Sequence, residues 1–108
     1  MITIDQFKQG EISIGEILAV ELVEGSEKLL KLSVNFGEER PRTVLSGIRK
    51  YFDDPQTLVG TKCAFATNLE PRPLMGMTSE AMILAVSDDT SFSLLRVASD
   101  IPAGLKVK

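Results

Sequence analysis

The sequence predicts an all-β protein: a five-stranded barrel, a short helix between strands three and four, and a C-terminal β extension. Three observations lead there. The apolar residues fall in short runs of strand length, the clearest of them alternating with polar ones. Clusters of Gly, Pro and Asp cut these runs at regular intervals. Helix start and stop signals stand together in one place, after the third run. With 108 residues the chain is one domain, 1–108, with room for a core but not for two.

The elements follow in order. Glu11 to Val23 reads as a long first strand. Ile12 and Ile14 alternate with Glu11 and Ser13, and the phase blurs at Gly15-Glu16, as a glycine bulge there would make it do. A helix is the competing reading of this stretch. Lys28 to Phe36 is the cleanest strand, with Leu30, Leu32, Val34 and Phe36 on one face. Gly37-Glu38-Glu39 turns the chain into a third strand, Arg40 to Leu45, where Pro41 suits a strand end or an edge. Asp54-Pro55 reads as an N-cap followed by proline at the first helical position, and Gly60 as a stop. Pro55 to Val59 is therefore the helix, with another helical turn at Ile48 to Phe52. Thr61 to Asn68 is the fourth strand, with Cys63 and Phe65 on one face and Cys63 as a small core residue. Leu69 to Met77, with two prolines, a glycine and an arginine, reads as a loop. Glu80 to Val86 is the fifth strand. Asp88-Asp89-Thr90 turns into a further strand, Ser91 to Val97, and Ile101 to Gly104 turns into a short tail. Five strands with a helix after the third is the order of the OB-fold barrel, here about residues 11–86, with residues 87–108 as an extension.

Composition narrows the chemistry. Apolar residues make up 44% and charged residues 25%, an ordinary globular balance. One cysteine and no histidine exclude an intrachain disulfide, a Cys/His zinc site, and Ser-His-Asp or Cys-His catalysis. There is no glycine-rich phosphate loop, and Asp53-Asp54 and Asp88-Asp89 sit in turn contexts where aspartate bonds its own backbone. The expectation is a binding module with no cofactor, no metal and no catalytic residue. The N-terminus has no signal-peptide pattern, and no apolar run approaches the ~20 residues of a membrane span, so a cytoplasmic protein without a membrane partner is expected.

The net charge of −3 argues against an indiscriminate nucleic-acid binder, but it is unevenly spread. Residues 1–27 carry −5, residues 28–72 carry +3, and residues 73–108 carry −1. That pattern fits either solvated strand faces or a polarised surface. Arg49-Lys50-Tyr51-Phe52 joins cations to aromatics, the ingredients of single-strand binding. The same rings also suit packing of a short helix onto the barrel. With six aromatics in all, two of them core candidates, a stacking platform has little to build on.

Several segments resemble one family, in order and over essentially the whole chain. Val23-Glu24-Gly25-Ser26-Glu27-Lys28 resembles the first turn of the tRNA-binding OB module of methionyl-tRNA synthetases. Leu45-Ser46-Gly47-Ile48-Arg49-Lys50-Tyr51 resembles its Ser-Gly-Ile segment, and Asn68 to Met82 its most specific stretch, an Asn-Leu-x-Pro-Arg loop running to Ser-x-Gly-Met. Ile4-Asp5-Gln6-Phe7 and Pro102-Ala103-Gly104 fit the two ends.

The resemblance implies binding of tRNA by shape and backbone, through placed donors more than aromatic stacks. It assigns Lys28 and Arg72 to phosphates, and Asn68, Ser46 and Ser79 to hydrogen bonds with phosphate, ribose or base edge. Met82 becomes an apolar contact, or else a core methionine. Arg49 and Lys50 join the set on charge alone. Glu70 and Pro73 stand where many relatives carry Lys or Arg, and Ala81 replaces the usual Gly. The like charge of Glu70 beside phosphate weakens binding. The resemblance further implies a homodimer joined through residues 87–108 and service to a methionyl-tRNA synthetase catalytic region, in cis or in trans. Free-standing tRNA-binding proteins and secretion chaperones resemble the same module. A dimeric chaperone for unfolded or exported polypeptides is thus the alternative function.

Overall fold

The computed structural model describes residues 1–108. In chain order it contains a short helix α1 (Ile4–Phe7), then β1 (Ile12–Leu22), β2 (Leu30–Asn35) and β3 (Arg42–Ser46). Two 3-10 turns follow, Arg49–Tyr51 and Pro55–Leu58, then β4 (Lys62–Ala66). The chain continues through β5 (Arg72–Leu74), β6 (Met77–Ser79), β7 (Met82–Ile83), β8 (Ala85–Ser87) and β9 (Phe92–Leu94). Five strands form one antiparallel sheet in the order β3-β2-β1-β4-β7, which curls into a nearly closed OB-fold-like barrel.

β1 organises the sheet because it is long enough to serve two partners. Its first half pairs with β4, from Ile12 opposite Ala66 to Glu16 opposite Lys62. Its second half pairs with β2, from Glu16 opposite Asn35 to Leu22 opposite Leu30. The barrel closes where β3 meets the chain ahead of β7. Glu80 N–H donates to the Thr43 carbonyl at 2.8 Å. Two side chains complete this seam: Thr43 N–H donates to Glu80 Oε1 at 3.1 Å and Leu45 N–H to Ser79 Oγ at 3.0 Å.

The alternation read in β2 fills the interior. Leu30, Leu32 and Val34 are fully buried, and Phe36 packs edge-on against the buried Phe65, ring centroids 5.1 Å apart. Leu58, on the Asp54-capped 3-10 turn, plugs the barrel and is fully buried. Cys63 is fully buried too, and burial raises its thiol pKa, as befits an inert core residue.

The structure corrects the sequence reading at five points. First, Glu11 to Val23 is a strand, but its bulge lies between Ile17 and Ala19, not at Gly15. Gly15 is there for space: a Cβ would stand 2.5 Å from Val34 Cγ1 and 2.6 Å from Phe36 Cε1. Second, Leu69 to Met77 is not all loop. Arg72 to Ser79 forms a hairpin whose two-residue turn has φ of 52° at Met75 and 77° at Gly76. Both central residues must be left-handed in such a turn, and only the glycine announced it in sequence. Third, the fifth strand is divided. Met82–Ile83 pairs with β4 and Ala85–Ser87 with β9, while Leu84 N–H reaches the Ala64 carbonyl between them. Fourth, the short helix and the helical turn expected between strands three and four are both present, each as a 3-10 turn and not α. Fifth, the short tail, to which the sequence reading assigned no pairing, docks on β1. Ile14 N–H donates to Leu105 O, Gly104 N–H to Ile14 O and Val107 N–H to Ile12 O, so the tail lines the first half of β1. Gly104 allows this with a φ of 94°, since a Cβ there would lie 2.5 Å from the Phe36 carbonyl oxygen. Helix α1 was unassigned in sequence; its signal was Thr3 and Gln6, which form a reciprocal capping box.

Two stability predictions follow from this packing. Gly15→Ala overpacks the Val34–Phe36 face and should lower unfolding free energy by about 1–3 kcal/mol, read as a lower urea midpoint at unchanged slope. Glu80 at the seam accepts from the Arg40 guanidinium, which holds its carboxyl below the ordinary value of 4.5 against opposing desolvation. Stability from this group is present above that value and is lost as pH falls through it and on to the lower folded-state value. The melting-temperature advantage of the wild type over Glu80→Gln should therefore shrink as the buffer goes from about pH 7 to about pH 3.

Candidate nucleic-acid interface

Of the twelve basic residues, Arg40, Arg42 and Lys106 make ion pairs. Arg42 grips Glu38 through two bonds of 2.8 and 2.7 Å and donates to the Thr67 carbonyl at 2.7 Å. Arg40 holds both oxygens of Glu80, and Lys106 holds Glu11. The Arg42 and Lys106 contacts keep the Glu38 and Glu11 carboxyls below the usual range, as Arg40 does for Glu80. A crevice of about 460 Å³ lined by Glu38, Glu39, Arg40, Arg42 and Glu80 sets three acids against two paired arginines and thus has little to offer a phosphate.

The sequence-assigned cations Lys28, Arg49, Lys50 and Arg72 make no ion pair. They belong to segments that the barrel brings to one end. The turn after β1 is shaped by Ser26, whose Oγ accepts from the Lys28 and Leu29 N–H groups at 3.2 and 3.1 Å. Arg49 ties the segment after β3 to this turn. Its guanidinium donates to Ser26 O at 2.6 Å, and its N–H to Lys28 O at 3.2 Å. Lys28 is left exposed. Ser46 ends β3 opposite Leu30 and is half-buried. Lys50 is exposed, with Nζ over the Tyr51 ring, 5.1 Å from its centroid.

The hairpin after β4 reaches the same turn. Met75, at its tip, places Cε 3.6 Å from where a Cβ on Gly25 would be. Arg72 stands exposed opposite Ser79 at the hairpin's base. Arg72, Ser79 and Met82 share a small crevice of about 70 Å³ with Leu69, Glu70 and Ala81. Met82 is 45% exposed, so it is a surface side chain and not a core methionine.

Two assigned residues have internal duties. Ser79 is 5% exposed, and its hydroxyl accepts from Leu45 N–H and donates to the Ala81 carbonyl. Asn68 accepts from Glu11 N–H at 2.7 Å and donates to Gln9 O at 2.6 Å, fastening the segment before β1. Sequence reasoning missed Met75, because nothing in Leu74-Met75-Gly76-Met77 marks the tip of a ribbon beyond the one glycine. It also left Tyr51 and Phe52 open; both rings pack on Phe92.

Known proteins share this sequence and fold. Methionine–tRNA ligase of Deinococcus radiodurans is 45% identical over 109 residues, covering all of this chain and 16% of that protein. The chain thus spans about one sixth of the length of the curated relatives it matches. A solved "MetRS related protein" from Pyrococcus horikoshii superposes with a TM-score of 0.92 at 29% identity, covering 100% of this chain and 98% of that one. The chaperone CsaA from Bacillus anthracis shares the fold, with a TM-score of 0.85 at 24% identity over 100% of this chain and 99% of that one. Residues 12–106 match the sequence family described as "Putative tRNA binding domain". With residues 12–106 matched to the family and a methionine–tRNA ligase 45% identical over the whole chain, the chain belongs to the tRNA-binding domain family found in methionine–tRNA ligases.

Proposed function

We propose that this chain is a non-catalytic module that binds folded tRNA by shape and backbone and tethers it for a methionyl-tRNA synthetase, in cis or in trans, in the cytoplasm. The observation that carries this reading is the convergence of Lys28, Arg49, Lys50 and Arg72, all free of ion pairs, on segments that meet at one end of the barrel. Lys28, Lys50 and Arg72 take phosphates, and Arg72 adds bidentate geometry. Arg49 acts with one arm held by Ser26, and Ser46 and Met82 contact ribose or base edge. Ser79 and Asn68, whose groups are engaged within the chain, shape the loops that carry the contacts. Tethering raises the effective tRNA concentration at a catalytic body without new chemistry.

The acidic first quarter of the chain and Glu70 keep this interaction modest and salt-sensitive. A gel-shift titration against folded tRNA and an unstructured RNA of equal length should show preference for the folded molecule. A plot of log affinity against log salt should be linear, and Arg72→Ala should flatten its slope by about 0.7–0.9, one phosphate contact. Equal affinity for the two RNAs sinks the reading.

The second reading, a chaperone for unfolded polypeptides, is favoured by the exposed Leu22, Leu69, Met75 and Met82 near the same loops. Displacement of tRNA by an unfolded polypeptide at matched salt would favour it over the first.

A homodimer is part of the proposal. Ile4, Phe7 and Val107 line a crevice of about 410 Å³ beside α1 and the tail, and Ile2, Leu105, Val86 and Leu95 lie exposed on the same terminal segments and extension. Residues 87–108 and α1 supply the covering surface that such a patch requires. Light scattering at micromolar concentration should give twice the 11.8 kDa of one chain, and Phe7→Glu should return it to the single-chain mass.

A further inference from the structure

We propose that Phe92 is a positioning residue for the tRNA-facing loops, acting through Tyr51, so that the extension after the barrel sets the order of the binding end. The inference rests on the tRNA-binding reading above. The Tyr51 and Phe92 rings are stacked, centroids 3.8 Å apart and planes within 5° of parallel. Phe52 meets the same Phe92 ring edge-on at 5.7 Å. The Lys50 ammonium also lies over Tyr51, and a face covered at 3.8 Å leaves it only the opposite one. Both faces of Tyr51 are thus occupied, so the ring is no stacking platform for a base.

What the stack holds is the segment Arg49–Tyr51. Its backbone is a single 3-10 turn with no side-chain cap, closed by Tyr51 N–H to Ile48 O and Phe52 N–H to Arg49 O. So short a turn has little stability of its own. From it Arg49 reaches Ser26 O and Lys28 O and fixes the turn that presents Lys28. Phe92 is well mounted for bracing. It pairs with Ser87 across β8–β9, Leu94 beyond it is buried, and Leu95 accepts from Ala64 N–H of β4 at 2.9 Å. One rigid connection therefore runs from β4 through Phe92 and Tyr51 to Arg49, Ser26 and Lys28.

The test compares wild type, Phe92→Leu and Phe92→Tyr by amide hydrogen exchange and by tRNA titration against salt. Leucine keeps apolar volume and removes the stack; tyrosine keeps the stack. Phe92→Leu should speed exchange at Arg49 and Tyr51 about three- to tenfold, with β2 amides unchanged. It should weaken tRNA binding by a similar factor, and Phe92→Tyr should restore both. Tyr51→Leu removes the same stack from the other side and carries the same test if Phe92→Leu does not fold. Unchanged protection at Arg49 and Tyr51 overturns the brace. Faster exchange with unchanged tRNA affinity overturns the positioning role. A wild type without preference for folded tRNA overturns the reading beneath it, and the positioning role with it, while the exchange data still decide the brace.

Discussion

Everything in this fold depends on closing a five-stranded sheet whose two outer strands, β3 and β7, are too short to zip together. A ladder of backbone bonds is replaced by one main-chain bond and two side-chain bonds, from Ser79 and Glu80, onto Thr43 and Leu45. The closure fixes which loops end up side by side. The hairpin that ends at Ser79 is anchored at this seam, and its tip meets Gly25. Inside the barrel Phe65 of β4 packs edge-on against Phe36, which follows β2. Polar side chains used in this way are exacting, because a buried backbone group left without its partner costs about 1–3 kcal/mol.

The strand pattern was legible wherever one face meets the core and the other meets water. Leu30, Leu32 and Val34 are the plainest case, and the Asp54-Pro55 start of the plug that carries Leu58 was legible from capping chemistry alone. Legibility failed where a residue answers to something distant in sequence. Gly15 looks like a bulge until Phe36 and Val34 are seen above it. The tail looks unattached until β1 presents an edge to it. Prolines 71 and 73 disguised a ribbon as a loop, because β5 pairs on one side only and can tolerate a missing N–H.

The candidate interface was legible in its charge and less so in its polar residues. Family resemblance treats Ser79 and Asn68 as contacts, but their hydrogen bonds run inward. Lys28, Lys50 and Arg72 make no ion pair, whereas Arg40 and Arg42 are engaged by Glu80 and Glu38. A chain with a net charge of −3 thus keeps four cations without ion-pair partners on the segments that meet at this end, beside Glu24, Glu27 and Glu70. Screening over a Debye length of about 8 Å at physiological salt makes that local arrangement, and not the total, what a phosphate feels.

The docking of the tail on β1 has a consequence for association. An open strand edge is a template for foreign strands, and barrels avoid aggregation by having none. Here the first half of β1 has β4 on one side and residues 104–107 on the other, and its second half has β2. Further edges are those of the small ribbons, β5–β6 and β8–β9, each only three residues long per strand. An extended polypeptide added as a strand to the β5–β6 ribbon would lie beside Arg72. Loss of residues 104–107 would uncover the inner edge of the longest strand, turning a well-sealed barrel into one prone to self-assembly through β1.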